Sequence, residues 1–121
     1  MDGYRATMFD GESGLRWLSP GWRGLRFYAR KAKDAIKGGD IATKAQMIYR
    51  ASCLLNLMTG ILDTSAGTSL GPRLMKIYAV LGETLLRANV QNDVTALDEF
   101  ETALAMLDHD MLQNSKVTVA A

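Results

Sequence analysis

The feature that most constrains the fold is the segment from Leu81 to Met111, in which two amphipathic helical patterns meet at a short polar turn. Apolar residues recur every three or four positions on both sides of the turn, which places each set on one side of a helix. The turn itself, residues 89–93, is rich in Asn and Asp, which compete for backbone hydrogen bonds and favour helix caps. The apolar sets are Leu74, Ile77, Leu81, Leu85 and Ala88 before the turn, and Val94, Leu97, Phe100, Leu104, Leu107 and Met111 after it. The pattern predicts two antiparallel helices joined as a hairpin.

Two more helices are predicted before this hairpin. The first begins near Pro20, because proline fits the first turn of a helix, and it ends at Gly38-Gly39, where glycine allows a left-handed residue. Asp40 then caps the second helix. We expect helices at about 20–37, 41–62, 70–88 and 93–112, an irregular segment 1–19 packed on the bundle, and a flexible tail at 113–121. Four helices joined by short loops predict an all-α, antiparallel, up-and-down four-helix bundle.

The second helix carries more apolar surface than one contact face requires. A first stripe and a second stripe both have helical spacing, whereas a coiled-coil seam uses only one such set. The first stripe is Ile41, Ala45, Ile48, Ser52, Leu55 and Leu62, and the second stripe is Met47, Ala51, Leu54, Met58 and Ile61. Two interpretations remain open at this point: the helix is central in the bundle, or part of it faces a partner.

Composition and charge limit the classes of function. A chain of 121 residues, 48% of them hydrophobic, predicts one domain with a single core. The formal charge is +1, but residues 1–50 carry ten Lys and Arg against five Asp and Glu, and residues 51–121 carry four against eight. Attraction between the first and last helices explains this asymmetry, and so does a basic face for an acidic partner.

The sequence contains no motif that predicts catalysis. His109 is the single histidine, and its neighbours Asp108 and Asp110 suggest a metal site less readily than a solvated helix end. Cys53 is the single cysteine, so no internal disulfide can form and a reducing compartment is expected. No signal peptide or spanning segment is visible. We therefore expect a non-enzymatic, soluble cytoplasmic protein, without a cofactor or metal.

A surface for another protein is the remaining class. Seven methionines and the second stripe suggest grooves that hold an amphipathic segment, although methionine at helical spacing is more often part of a core. A basic face on the first helix, with Arg26, Arg30 and Lys33, suggests instead a nucleic-acid or regulatory adaptor, but it lacks interleaved exposed aromatic residues.

Short motifs from about residue 39 to residue 111 resemble the flagellin export chaperone family, of the FliS type. The matching residues are Gly39-Asp40, Leu54-Leu55, Met58 and Leu62-Asp63, then Leu74 and Ile77-Tyr78, and finally Leu86-Arg87-Ala88-Asn89, Asn92-Asp93, Leu97 and Glu99. The N-terminal part departs from the family pattern, with Arg23 where an aspartate is expected.

The resemblance implies a chaperone that binds the C-terminal segment of newly made flagellin. Holding that segment would prevent premature polymerisation in the cytoplasm and assist export through the flagellar type III gate, a second possible partner. We expect a groove lined by Ala51, Leu54, Met58, Ile61, Tyr78 and Leu85, with Asn89 and Asp93 as polar anchors. The alternative is that the apolar members of this set fill the core and the polar ones only cap helices. An exposed groove would also allow weak self-association.

Overall fold

The computed structural model describes the backbone of residues 12–62 and 70–120, and the side chains of residues 18–62 and 70–111. Four helices account for nearly all of it: α1 (Glu12–Lys37), α2 (Ile41–Gly60), α3 (Leu70–Gln91) and α4 (Val94–Ala120). Helix α1 packs against α2 and α4, and α3 packs against the same two helices, so that α1 and α3 lie on a diagonal of the bundle. The predicted all-α four-helix bundle is confirmed.

The core lies between the helices and is built from one stripe of each. The largest fully buried side chains are Trp22 on α1, Tyr78 on α3 and Phe100 on α4. Aliphatic residues and alanines at three- and four-residue spacing fill the rest, among them the stripe of α1: Leu18, Trp22, Leu25, Ala29 and Ala32. This spacing puts all the large apolar groups of a helix on one side, which is how the sequence determines the bundle.

Capping residues end the helices where the sequence predicts turns. Gly39 has φ +74°, a left-handed conformation that costs glycine little. Asp40 then accepts a hydrogen bond from the backbone N–H of Thr43 at 3.1 Å. At the hairpin Asn92 has φ +51°, and Asp93 accepts a hydrogen bond from the backbone N–H of Ala96 at 3.2 Å. Both turns therefore use the cap chemistry of Asn, Asp and Gly.

Helix α1 begins earlier than predicted, at Glu12 instead of Pro20. Proline in a helix interior removes one backbone hydrogen bond, so the local sequence favours a helix start there. Contacts on the N-terminal side of Pro20 offset this preference: Leu18 is buried in the core, and Ser19 Oγ donates a hydrogen bond to Asp108 Oδ1 at 2.7 Å. The predicted irregular segment 1–19 is thus helical from residue 12, and residues 1–11 lie outside the described part of the chain.

The other helix ends differ by smaller amounts. Helix α3 continues three residues further than predicted, to Gln91, and α2 ends at Gly60. Helix α4 extends to Ala120, where a tail from residue 113 was predicted. The polar loop predicted after residue 62 falls in 63–69, outside the described residues. No described helix combines the length and apolar character needed to cross a bilayer.

Ion pairs join the first and last helices. Lys33 Nζ lies 2.8 Å from Asp98 Oδ1 and 3.2 Å from Glu101 Oε2, and Arg30 Nε lies 3.2 Å from Glu101 Oε1. The hydrogen bond to Asp98, and then that to Glu101, raises the pKa of Lys33 above its usual value. Attraction between α1 and α4 therefore accounts for part of the charge difference between the two halves of the sequence.

A candidate partner-binding trough between α2 and α3

An open trough runs along the outer side of the bundle between α2 and α3. Its volume is about 380 Å³. Its walls are formed by residues of both helices: Ala45, Ile48, Tyr49, Ser52, Leu55, Asn56, Gly82, Leu86 and Asn89. These nine residues define the trough.

The trough exists because a small residue separates two large exposed ones. Gly82 has no side chain, and a Cβ built on it would lie 3.8 Å from Leu55 Cδ2, so the floor at this point is backbone and the buried Leu55. On the two rims Tyr49 is 69% exposed and Leu86 is 64% exposed. Exposed apolar side chains above a buried apolar floor favour binding of an apolar surface from outside.

Polar groups lie along the same trough. Ser52 and Asn56 on α2 and Asn89 on α3 provide hydroxyl and amide groups. The buried Lys44 Nζ donates a hydrogen bond to the backbone carbonyl of Asn89 at 2.9 Å, near the C-terminus of α3, where the helix dipole favours a cation. Because this bond holds the backbone of Asn89, its side-chain amide is positioned at one end of the trough.

The chemistry of the trough suits non-covalent binding. Its lining contains no Asp, Glu or His, and its single ionisable side chain is the phenol of Tyr49. A hydrogen bond with the Cys53 thiol raises the pKa of Tyr49 above its usual value, so the phenol is neutral at physiological pH. Among the described side chains, those of residues 18–62 and 70–111, no cluster of three or more His, Cys, Asp or Glu could hold a metal ion.

Four of the eight residues predicted to contact a partner lie in the core instead of the trough. Ala51, Met58, Tyr78 and Leu85 are each less than 5% exposed. The reason is helical spacing: Ala51 and Met58 share one side of α2 with Leu55, and Tyr78 and Leu85 share the inward side of α3. In the free chain their side chains pack against other helices.

The remaining four predicted residues occupy different places. Leu54 and Ile61 are half-buried, and Leu54 packs against α1, where a Cβ built on Gly24 would lie 3.1 Å from its Cδ2. Asp93 caps α4 and lies 3.7 Å from Arg87. Asn89 alone of the eight lines the trough. The middle of the first stripe of α2 therefore lines the trough, from Ala45 to Leu55, whereas Leu54 and Met58 of the second stripe contact α1.

Sequence reasoning missed Tyr49, Gly82 and Leu86 as trough residues. Each lies off the main apolar stripe of its helix, and Leu86 directly follows the buried Leu85. A large apolar residue that breaks the helical period is the signal that could have found Tyr49 and Leu86. The gap at Gly82 depends on how closely α2 approaches α3, and the sequence pattern of a single helix does not specify that distance.

Comparison with known proteins agrees with this architecture. The family model described as "Flagellar protein FliS" matches residues 4–110. The match includes the N-terminal part whose residues depart from the family motif, and it extends through the hairpin of α3 and α4. No curated protein sequence matches the chain significantly.

Proposed function

Because the chain belongs to the flagellar protein FliS family, we propose that it binds the C-terminal segment of flagellin in the trough between α2 and α3. The family is one of flagellar chaperones that bind flagellin, and it is not an enzyme family. We propose further which segment of flagellin is bound, its C-terminal segment, and which surface of the chain binds it, the trough. It also places the complex in the bacterial cytosol, before export.

The observation that carries the proposal is the trough itself, in which the exposed side chains of Tyr49 and Leu86 stand on either side of an apolar floor at Leu55. Along α2 the lining extends from Ala45 to Asn56, which corresponds to about 17 Å, or about three helical turns. An amphipathic helix of similar length can place its apolar side against Leu86, Tyr49 and the floor at Gly82. This is the helix-in-groove mode of recognition.

Binding in this mode would protect flagellin from assembling early. A segment that is disordered when free loses conformational entropy when it folds on a chaperone, and burial of its apolar side chains offsets that loss. The apolar stripe that would contact neighbouring subunits in a filament is then covered by the trough. The same complex keeps the subunit unassembled until it reaches the type III export gate, which we propose as a second partner.

For the eight residues predicted from the sequence we propose two roles. Asn89 contacts the bound segment by hydrogen bonding from the end of the trough. Ala51, Leu54, Met58, Ile61, Tyr78, Leu85 and Asp93 contribute indirectly, by fixing the positions of α2, α3 and the hairpin. Substitution of a member of the second group should alter binding only together with stability.

A filament-growth assay tests the proposed function. Flagellin monomers are added to filament seeds in the presence of an equimolar amount of the chain, and elongation is followed by light scattering. We expect elongation to slow strongly with the unmodified chain and to recover with Gly82→Leu, because a leucine there fills the trough. Circular dichroism of the variant controls for folding. Unchanged elongation in the presence of the unmodified chain would contradict the proposal.

A further inference from the structure

A compact basic surface lies on the outer side of α1. It consists of Arg23, Arg26, Phe27 and Arg30, which line a depression of about 260 Å³. Their spacing of three and four residues places them on one side of the helix over about 10 Å. These four residues define the basic surface.

One cationic group of the basic surface has no partner. Arg26 Nε is buried and makes no hydrogen bond. One turn further along α1, Arg30 and Lys33 bond to carboxylates of α4, but this row of ion pairs does not reach Arg26. A buried donor without an acceptor is unfavourable, because it has lost its hydrogen bonds to water and gained none in return. A carboxylate bound to the part of Arg26 that lines the depression would place negative charge beside this donor.

An exposed aromatic ring lies among these cations, contrary to the expectation from the sequence that the basic face of the first helix lacks one. Phe27 is 51% exposed, its ring stacks edge-on with Tyr28 at a centroid distance of 5.7 Å, and Lys31 Nζ lies 5.6 Å from the ring centroid. The surface therefore combines an apolar centre with arginines on both sides. It matches a helical segment that carries acidic side chains one turn apart around one apolar side chain.

The basic surface and the trough lie on different sides of the bundle. The trough lies between α2 and α3, whereas α1 is diagonal to α3 and packs against α2 and α4. The four residues of the basic surface all belong to α1, and none of them lines the trough. A segment bound in the trough consequently leaves the basic surface accessible.

We propose that the basic surface is a second docking site, which binds an acidic amphipathic helix of another protein while the trough is occupied. The arginines that line the depression around the exposed ring of Phe27 favour a carboxylate-bearing peptide by charge complementarity. Nucleic acid fits less well, because binding to a polyanion requires a longer basic track. Beyond the basic surface the track on α1 ends, because Lys33 is paired with both Asp98 and Glu101.

The test measures binding of a designed peptide to the full chain by fluorescence anisotropy at physiological salt. The probe is a short fluorescein-labelled helical peptide with glutamates one turn apart on either side of a leucine. Its control is the same peptide with glutamine in place of glutamate. We expect the glutamate peptide to bind and the glutamine peptide to bind at least about tenfold more weakly, as expected for the loss of charge-assisted hydrogen bonds.

Matched variants locate the site. Arg23→Gln and Arg26→Gln should each weaken binding of the glutamate peptide by about tenfold, and Phe27→Ala should weaken it without changing the charge. Arg73→Gln, which removes one charge from an exposed position on α3, should change the affinity by less than about twofold. Because Arg23 is exposed, Arg23→Gln keeps the test informative if Arg26→Gln fails to fold.

Three results would overturn the proposal. The first is an equal loss of affinity in Arg23→Gln and Arg73→Gln, which would indicate unspecific attraction. The second is displacement of the acidic peptide by a saturating flagellin C-terminal peptide, which would place both on one surface. The third is tighter binding of a single-stranded oligonucleotide than of the peptide, with an affinity that falls when Arg23 or Arg26 is replaced.

Discussion

Trp22 Nε1 donates a hydrogen bond to Tyr78 Oη at 2.9 Å, across the centre of the bundle. The two residues belong to α1 and α3, the helices on the diagonal, and both side chains are almost fully buried. Each is an aromatic residue with one polar atom that needs a partner in the core. The bond satisfies both atoms at once and connects α1 to the helix that carries Gly82 and Leu86 of the trough.

Tyr78→Phe should destabilise the chain by about 1–3 kcal/mol, because it leaves the buried Trp22 Nε1 without an acceptor. The matched control is Tyr49→Phe, which removes a hydroxyl group from a side chain that is 69% exposed and should change the free energy of unfolding by less than about 0.5 kcal/mol. Urea unfolding followed by circular dichroism measures both values. Equal effects of the two substitutions would show that the buried hydrogen bond contributes nothing to stability.

Alkaline pH should weaken the fold through the same phenol. Burial raises the pKa of Tyr78 to about 12, although the hydrogen bond from Trp22 acts in the opposite direction. An unfolded tyrosine ionises near pH 10, so below about pH 10 both states keep the proton and Tyr78 adds no pH dependence. Between about pH 10 and about pH 12 the unfolded state loses the proton first. The free energy of unfolding should then fall by about 2–3 kcal/mol over this range.

The comparison that isolates this effect is the free energy of unfolding of the unmodified chain and of Tyr78→Phe across the same alkaline range. Other groups titrate in both proteins, so the difference between the two curves reports Tyr78. We expect the curves to converge as the pH rises, because the phenylalanine variant has no proton to lose. Curves that stay parallel would contradict the raised pKa.

The sequence was sufficient for the number and order of the helices, because stripe spacing and cap residues are local signals. Gly39, Asp40 and Asn92 determine turns through their own backbone preferences, and these turns were predicted correctly. The start of α1 was predicted wrongly, because Pro20 is a local signal that the burial of Leu18 overrides. A contact between residues that are distant in sequence leaves no recognisable pattern in the sequence of either helix, so it could not be predicted.

Pro20→Ala should raise stability. Alanine restores the backbone N–H that proline lacks, and a proline in a helix interior costs up to about 3 kcal/mol relative to alanine. Because Pro20 is exposed, the change removes little packing. We expect an increase of about 1–3 kcal/mol in the free energy of unfolding, with unchanged helical content by circular dichroism. If α1 began at Pro20 instead, alanine would give no such increase, since proline is favourable in a first turn.

The candidate site was harder to predict than the fold. Two stripes on α2 are equally apolar, and the sequence does not say which of them faces α3. The structure shows that Ile48, Ser52 and Leu55 of the first stripe line the trough, whereas Ala51 and Met58 of the second do not. Burial does not distinguish the two sets, since Ile48 and Leu55 are also less than 5% exposed. The side that remains open depends on the angle at which the helices pack, and that angle is set by contacts such as those of Gly21 and Gly24 with α2.

Gly82→Ala should separate stability from binding. A Cβ at this position lies 3.8 Å from Leu55 Cδ2, an ordinary contact, and alanine is favoured over glycine in a helix interior by about 1 kcal/mol. The variant should therefore be more stable by about 0.5–1 kcal/mol, yet bind the flagellin C-terminal peptide more weakly, because the methyl group raises the trough floor.

The control for this substitution is Gly60→Ala at the C-terminal end of α2, where a Cβ meets no atom within 4 Å and lies outside the trough. It should leave peptide affinity unchanged. Calorimetric titration measures affinity, and thermal unfolding measures stability. Stronger or equal peptide binding by Gly82→Ala would place the bound segment elsewhere.

The most direct test of the trough compares two leucines of equal exposure. Leu86, in the trough, and Leu57, outside it, are both 64% exposed, so their replacement by aspartate perturbs the free chain similarly. Affinity for the flagellin C-terminal peptide is measured by calorimetric titration. Leu86→Asp should weaken binding by about tenfold or more, the equivalent of losing one buried leucine, and Leu57→Asp should change it by less than about twofold. Equal losses in the two variants, or a loss confined to Leu57→Asp, would contradict the assignment of flagellin to the trough.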